Sequence, residues 1–358
     1  MQQLSLFKKS PSNDWKWKLK DIETIPKNGL KVFSCFACGG GSTMGYKLAG
    51  YDVIGCCEID YRMNEIYVKN HKSKYNFLMD IREFNHIEKL PAELHNLDIL
   101  DGSPPCTTFS ISGDREKSWG KKKKFREGQK EQTLDDLSYI FIEIVEKLRP
   151  KVVIMENVEG LLQGEAWGYV QKIYKKFRDI GYHVQHFLMK GENMGIPQKR
   201  HRVFFIANRI GKEYINMAFD YEPVTYGMIK DGNGENTTGK IYKILTEAKP
   251  AESDLVKAWN RLYNPGGKEK RMYFNHILWK DDAIPSTIPA GHSCLYDFEN
   301  KKFVSKMDLI HAQTFPEDFN FIKNTFSNIN YVCGMSVPPV MMKRVAMEVY
   351  RQWLNVKR

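Results

Sequence analysis

The chain has 358 residues, 42% of them hydrophobic and 27% charged, which is enough apolar material for one large core or two smaller ones. No apolar run is long enough to span a bilayer and the polar, lysine-rich start is not a secretory signal, so a cytoplasmic protein with no membrane partner is expected. Fifty-four Lys and Arg against 43 Asp and Glu leave a net charge of +11, a balance that favours a polyanionic partner.

Residues 1–28 are polar and basic and read as a mostly irregular arm. From Lys31 the pattern changes. Short β-rich apolar runs recur at 31–36, 52–57, 97–101, 151–155 and 202–207, with helical patterns between several of them, as at 134–148 and 168–180. Strands alternating with helices predict an α/β fold of Rossmann type, a parallel sheet covered on both faces with right-handed crossovers. The catalytic part is expected over 29–208. After Asn208 the alternation stops, and 209–320 reads as a smaller, irregular domain. The segment 321–358 returns to the first domain through a helix at 337–354, opened near Pro338 and Pro339.

The first strand runs into Phe36-Ala-Cys38-Gly39-Gly-Gly41, where the next helix should start. Glycines there allow a ligand close to the backbone, and the helix N-terminus offers N–H groups. The next strand ends in Glu58, placed to accept both hydroxyls of a ribose. Further on, Asp80-Ile81 offers a carboxylate to an adenine amino group and an apolar side chain to its face. A later strand ends in Asp-Gly-Ser-Pro-Pro105-Cys106, where two prolines place a thiol beyond the carboxyl end of the sheet. The strand after it ends in Glu156-Asn157-Val158, a carboxylate one strand over from that thiol and a candidate proton donor. Gln198, Arg200 and Arg202 alternate into a further strand, so the two arginines are expected to point together into the site. The charged stretch 114–130 suits a lid over a nucleic-acid backbone. Seven cysteines, without four ligands at zinc spacing, predict no metal site.

In this order the motifs resemble those of the DNA (cytosine-5)-methyltransferases, of the bacterial or phage restriction-modification type. AIPSTIPAG at 283–291 and GMSVPP at 334–339 are similar to the family's last two motifs. The resemblance covers about 31–208 and 281–345. It departs at Cys38, where the family usually has Gly, at Thr107, commonly Gln, and at Met335, commonly Asn. It implies an S-adenosyl-L-methionine cofactor held by Phe36, Cys38, Gly39, Gly41, Glu58, Ile59, Asp80, Ile81, Pro105, Ser336 and Val337. It implies catalysis by Cys106 attack on carbon 6 and by Glu156 protonation of ring nitrogen 3, with Arg202 on the base oxygen and Arg200 steadying the carboxylate. The substrate implied is double-stranded DNA with its cytosine flipped out, read by the 209–320 region. Tyr221, Tyr226, Arg261 and Arg271 are possible contacts there, each with a structural alternative.

Two other readings use the same residues differently. One is a transfer-RNA cytosine methyltransferase on this scaffold, against which the long 209–280 stretch argues. The other is a non-catalytic DNA-binding homologue, against which the presence of Cys106, Glu156 and both arginines argues. At the start of the chain, Gln3-Leu-Ser-Leu-Phe7 looks like the peptide that docks on the bacterial sliding clamp. A monomer is expected.

Overall fold

The computed structural model describes residues 13–105, 136–265, 273, 275–291 and 294–355. The chain divides into two compact units. The first takes residues 20–190, 201–218 and 341–358, and the second takes 1–19, 191–200 and 219–340. The expected cuts at 208 and 320 therefore differ from the observed partition, in which the second unit also claims 191–200.

In the first unit, β1 (Lys31–Cys35) leads to α1 (Gly41–Leu48), β2 (Asp52–Glu58), α2 (Tyr61–Asn70), β3 (Tyr75–Leu78) and α3 (Ile81–His86). Then come β4 (Ile99–Gly102), α4 (Leu137–Leu148), β5 (Val152–Val158), α5 (Trp167–Asp179), β6 (His183–Lys190) and β7 (His201–Asn208). The seven strands lie in the order β3-β2-β1-β4-β5-β7-β6. β1 to β5 run parallel to their neighbours, whereas β7 is antiparallel to both β5 and β6. The expected parallel sheet thus contains one antiparallel strand, β7, next to the edge strand β6. The fold class is the expected Rossmann-like α/β one. Strand order reverses between β1 and β4, so the loops leaving those two strands flank the switch point where such sheets bind ligands.

The helices form because their apolar residues repeat on one face. In α4, Leu137, Phe141, Ile144, Val145 and Leu148 are buried at the spacing of a helical stripe. The helix ends on Arg149 in the left-handed region (φ 51°), just before Pro150, which cannot continue it. β5 is buried from Val152 to Asn157, as a central strand must be. Phe33, Leu100, Phe141, Val153 and Val203 share the core cluster that joins the sheet to α4.

The described part of the arm is irregular, apart from a short 3-10 helix at Leu19–Thr24, but it is fastened down. In the second unit, Trp17 Nε1 donates to the Thr314 carbonyl (3.0 Å) and Trp15 packs edge-on to His311. In the first unit, Asn28 N–H donates to the Gly50 carbonyl (2.9 Å).

The rest of the second unit is more regular than its composition suggests. It holds α6 (Tyr226–Ile229), α7 (Gly239–Glu247), α8 (Val256–Tyr263), β8 (His276–Trp279), β9 (Cys294–Asp297), β10 (Lys302–Phe303), α9 (Lys306–Gln313) and α10 (Phe326–Met335). The strands make a small sheet, β8 parallel to β9 and β9 antiparallel to β10. Ile244, Leu245, Trp259, Leu278 and Tyr296 form its core. Tyr226 is buried with its hydroxyl donating to Asp308 (2.9 Å), and Arg261 pairs with Glu247 and Glu252, so both have structural roles. Tyr221 donates its backbone N–H to the Asn193 carbonyl, and Arg271 lies outside the described residues. The chain closes with α11 (Pro339–Val349), near the expected start, and an irregular last turn to Leu354. Among the described residues no helix is long and apolar enough to cross a membrane.

Gly102 ends β4 where a methyl group would fall 2.4 Å from the ring of buried Phe141. Gly102→Ala should destabilise the protein by about 1–3 kcal/mol through overpacking, and adding Phe141→Leu should recover part of that loss. Denaturant unfolding of the two variants checks both statements.

Candidate active site

The loop between β1 and α1 is built from left-handed residues. Phe36 (φ 55°), Cys38 (φ 49°) and Gly40 (φ 93°) all lie in that region, which is costly for the two side-chain-bearing residues. Gly39 and Gly41 are buried beside them. Gly40 caps α1 without a side-chain bond to the helix, and a Cβ on it would fall 2.1 Å from His71 Nε2, so glycine is required there.

Glu58, at the carboxyl end of β2, ties this loop down. Its Oε2 accepts the Cys38 N–H (2.7 Å) and its Oε1 the Asp60 N–H (2.8 Å). Burial pushes the carboxyl up to about 6, against the pull of these N–H donors. Each oxygen keeps further acceptor capacity, which suits a ribose diol. The next residue, Ile59, is 39% exposed and offers an apolar face beside that carboxylate.

Asp80 and Ile81 stand at the start of α3. Asp80 caps α3, accepting the Arg82 N–H (2.8 Å), and also pairs with the Arg82 guanidinium. Ile81 is buried in the core cluster with Phe33 and Phe84. Of the two isoleucines, Ile59 is therefore the exposed one and Ile81 the buried one.

On the other side of the switch point, β4 leads into Pro104 and Pro105. Asn157 Nδ2, from β5, donates to the Pro104 carbonyl (3.2 Å) and fixes the backbone two residues before Cys106. Cys106 itself, Thr107 and the 114–130 stretch lie outside the described residues. Glu156, one residue before Asn157, is buried and paired with Arg202, Nε to Oε1 at 2.9 Å. The antiparallel register sets this contact. Val158 faces Arg202 across β5 and β7, and Glu156 is the diagonal neighbour on the same face. Burial lowers the Arg202 pKa, while the Glu156 charge opposes that shift.

Arg200 does not share this arrangement. It precedes β7, and its Nη2 donates to the carbonyls of Gly334 and Ser336 (2.9 Å each). The arginine seen paired with the Glu156 carboxylate is Arg202. Gln198 works with Arg200 inside the second unit. Its Oε1 accepts the Ile288 N–H, and its Nε2 donates to Gln313 Oε1 (2.7 Å). Gln313 Nε2 in turn reaches the Ser336 carbonyl (2.7 Å). This buried network joins the three motifs at 195–200, 283–291 and 334–339, and it seats Ser336 and Val337, both buried.

The sequence reading passed over Asp101. It is buried on β4, and its carboxylate accepts the Ser34 hydroxyl (2.6 Å) and the Tyr46 hydroxyl (3.1 Å). Burial pushes it up to about 7, with the Glu156 charge adding to the rise. The signal was an acid inside an otherwise apolar central strand, a placement that demands partners.

The chain matches the family described as C-5 cytosine-specific DNA methylase over residues 30–351. It is 31% identical over 334 residues to the type II methyltransferase M.HindV of Haemophilus influenzae, covering 88% of this chain and 95% of that one. With the type II methyltransferase M.FnuDI of Fusobacterium nucleatum it shares 32% identity over 192 residues, 54% of this chain and 51% of that protein, so this match spans about half of each. A solved prophage-encoded methyltransferase from E. coli shares the fold at a TM-score of 0.65 and 19% identity, over 92% of this chain and 100% of that one.

Cys38 holds a left-handed backbone where glycine is at ease, and its bond to Glu58 comes from the main chain. Cys38→Gly should therefore keep the loop and leave stability unchanged or raised by up to about 1 kcal/mol. Thermal unfolding of the variant beside the parent protein tests this, and a loss of more than about 1 kcal/mol would contradict it.

Proposed function

The chain belongs to the C-5 cytosine-specific DNA methylase family, and from that premise we propose that it methylates cytosine at carbon 5 within a specific double-stranded DNA sequence, using S-adenosyl-L-methionine and a covalent Cys106 adduct. The observation that carries this reading is the tie from Asn157 to the Pro104 carbonyl, made beside the buried Glu156–Arg202 pair. It holds the approach to the nucleophile against the strand end that bears the carboxylate.

Carbon 5 of cytosine is too weak a nucleophile to be methylated directly. The Cys106 thiolate adds to carbon 6 while Glu156 protonates ring nitrogen 3, which leaves an electron-rich enamine at carbon 5. S-adenosyl-L-methionine, when bound, supplies the methyl group that carbon 5 accepts. The carbon 5 proton then departs, the electron pair re-forms the ring double bond, and the thiolate is expelled. Arg202 keeps the Glu156 carboxyl aimed at the base. The target base must leave the duplex to reach these groups, at a cost of a few kcal/mol.

For the cofactor, Glu58 takes the ribose hydroxyls and Ile59 lies against the purine. The 36–41 loop and the first turn of α1 hold the polar end, with Ser336 and Val337 as the contribution of the last motif. Asp80 keeps the purine amino group as its candidate partner in addition to its capping bond. The second unit reads the DNA sequence, and the excess of positive charge favours the phosphate backbone. The reading places the protein among methyltransferases of the restriction-modification type, like the type II methyltransferases it resembles, working in the cytoplasm and as a monomer.

Expression in a methylation-deficient bacterial host, followed by bisulfite sequencing, tests the reading. Protected cytosines should appear in one short repeated sequence and vanish in Cys106→Ala and Glu156→Gln controls. Soluble folded protein that protects no DNA while methylating transfer RNA would overturn it.

The Gln3–Phe7 peptide lies outside the described residues. We propose that it docks on the bacterial sliding clamp through Leu4, Leu6 and Phe7, because an apolar cluster in a basic arm suits a contact. The full chain should be retained on immobilised clamp, and a chain lacking residues 1–8 should pass through. Equal retention of the two rejects the proposal.

A further inference from the structure

The Ser34–Asp101–Tyr46 cluster lies inside the first unit and takes no part in the chemistry described above. Ser34 is the second-last residue of β1, two positions before the cofactor loop begins at Phe36. Tyr46 lies on α1, the helix that the loop enters. Asp101 is the second-last residue of β4, five positions before Cys106. The strands are in register, with Ser34 opposite Asp101 and Cys35 opposite Gly102. One carboxylate accordingly holds both ends of the cofactor loop to the strand that delivers the nucleophile, through the Ser34 bond of 2.6 Å and the Tyr46 bond of 3.1 Å.

We propose that Asp101 is a positioning residue for methyl transfer, coupling the set of the 36–41 loop to that of Pro104 and Pro105, which precede Cys106 in the sequence. A neutral or apolar residue would pack β4 without the penalty of a buried carboxylate, so mere filling of the core does not account for an acid here. The placement is specific as well. The two hydroxyls come from the elements on either side of one loop, at the point where the strand order reverses. The groups that act on this carboxylate are Tyr46 from α1, Ser34 and Cys35 from β1, and Glu156 from β5. Burial and the Glu156 charge both press it toward its protonated form, which places Asp101 within electrostatic reach of the proposed proton donor.

The inference rests on the cofactor and nucleophile assigned under the proposed function, and its test keeps the two apart. Binding of S-adenosylhomocysteine is measured by calorimetry, and kcat is measured at saturating cofactor and DNA, for the full chain and for Asp101→Asn. The variant should bind about tenfold more weakly and turn over about tenfold more slowly, with the KM for DNA unchanged. Tyr46→Phe, which loses only the bond on the helix side, should weaken binding to a smaller degree. The double variant Ser34→Ala/Tyr46→Phe should reproduce the Asp101→Asn effect and serves as the readout if Asp101→Asn does not fold. Binding and kcat within twofold of the parent, with only the melting temperature lowered, would show a purely structural acid and overturn the proposal. A parent protein that binds no S-adenosylhomocysteine would remove the functional reading and this inference with it.

Discussion

Glu156, buried on β5, and Arg202, largely covered on β7, form an ion pair inside the sheet where strand direction changes. Neither is tolerable there alone, because a lone buried charge loses its hydration without compensation, and breaking such a pair costs about 3–5 kcal/mol. The pair exists only because β7 runs antiparallel to β5 in a register that makes the two side chains diagonal neighbours. A slip of one residue would turn Arg202 to the opposite face. The antiparallel strand thus determines whether a carboxylate at the end of β5 is held still or left to wander. Asn157, on the other face of the same strand, fixes the Pro104 carbonyl. β5 therefore aims one residue at the chemistry and uses the next to hold the neighbouring loop.

The same economy recurs wherever a motif is buried. Glu58 accepts two backbone N–H groups while keeping lone pairs for a ligand. In the second unit, Gln198, Arg200 and Gln313 converge on the backbone around Ser336. Their side chains are consumed in holding other motif segments in shape. A motif residue can thus be indispensable without touching substrate, and the chemistry of an isolated guanidinium does not reveal which case applies.

What was legible from the sequence follows burial. β5, which opens with four apolar residues, and α4, with its clear apolar stripe, are readable because their buried positions follow the period of a strand core and of a helix face. β3 and β6 escaped the list of strands, and they are the two edges of the sheet. Only Val184 and Met189 among their residues are buried, so polar side chains and histidines break the apolar run. The reversed direction of β7 had no local signature, since it depends on which strand it meets. Glu58-Ile59 and Asp80-Ile81 look equivalent as dipeptides, yet Ile59 is exposed after a strand and Ile81 opens a helix packed on the core. In the second unit the core residues Ile244, Trp259 and Tyr296 are far apart in the chain, and short capped helices between them carry little periodicity.

The path of the chain between its two units has a consequence for synthesis. The second unit draws on the arm, on 191–200 and on 219–340, while the first is finished only by 341–358. In the first unit, Tyr51 waits for the carbonyl of Ala346 to accept its hydroxyl hydrogen (3.0 Å). Domains usually fold one after another as they leave the ribosome, but here the second unit ends first, at residue 340, and the first unit is complete only when α11 has been translated. A chain released just before α11 therefore carries all seven strands of the sheet but lacks the helix whose Ala346 carbonyl accepts the Tyr51 hydroxyl.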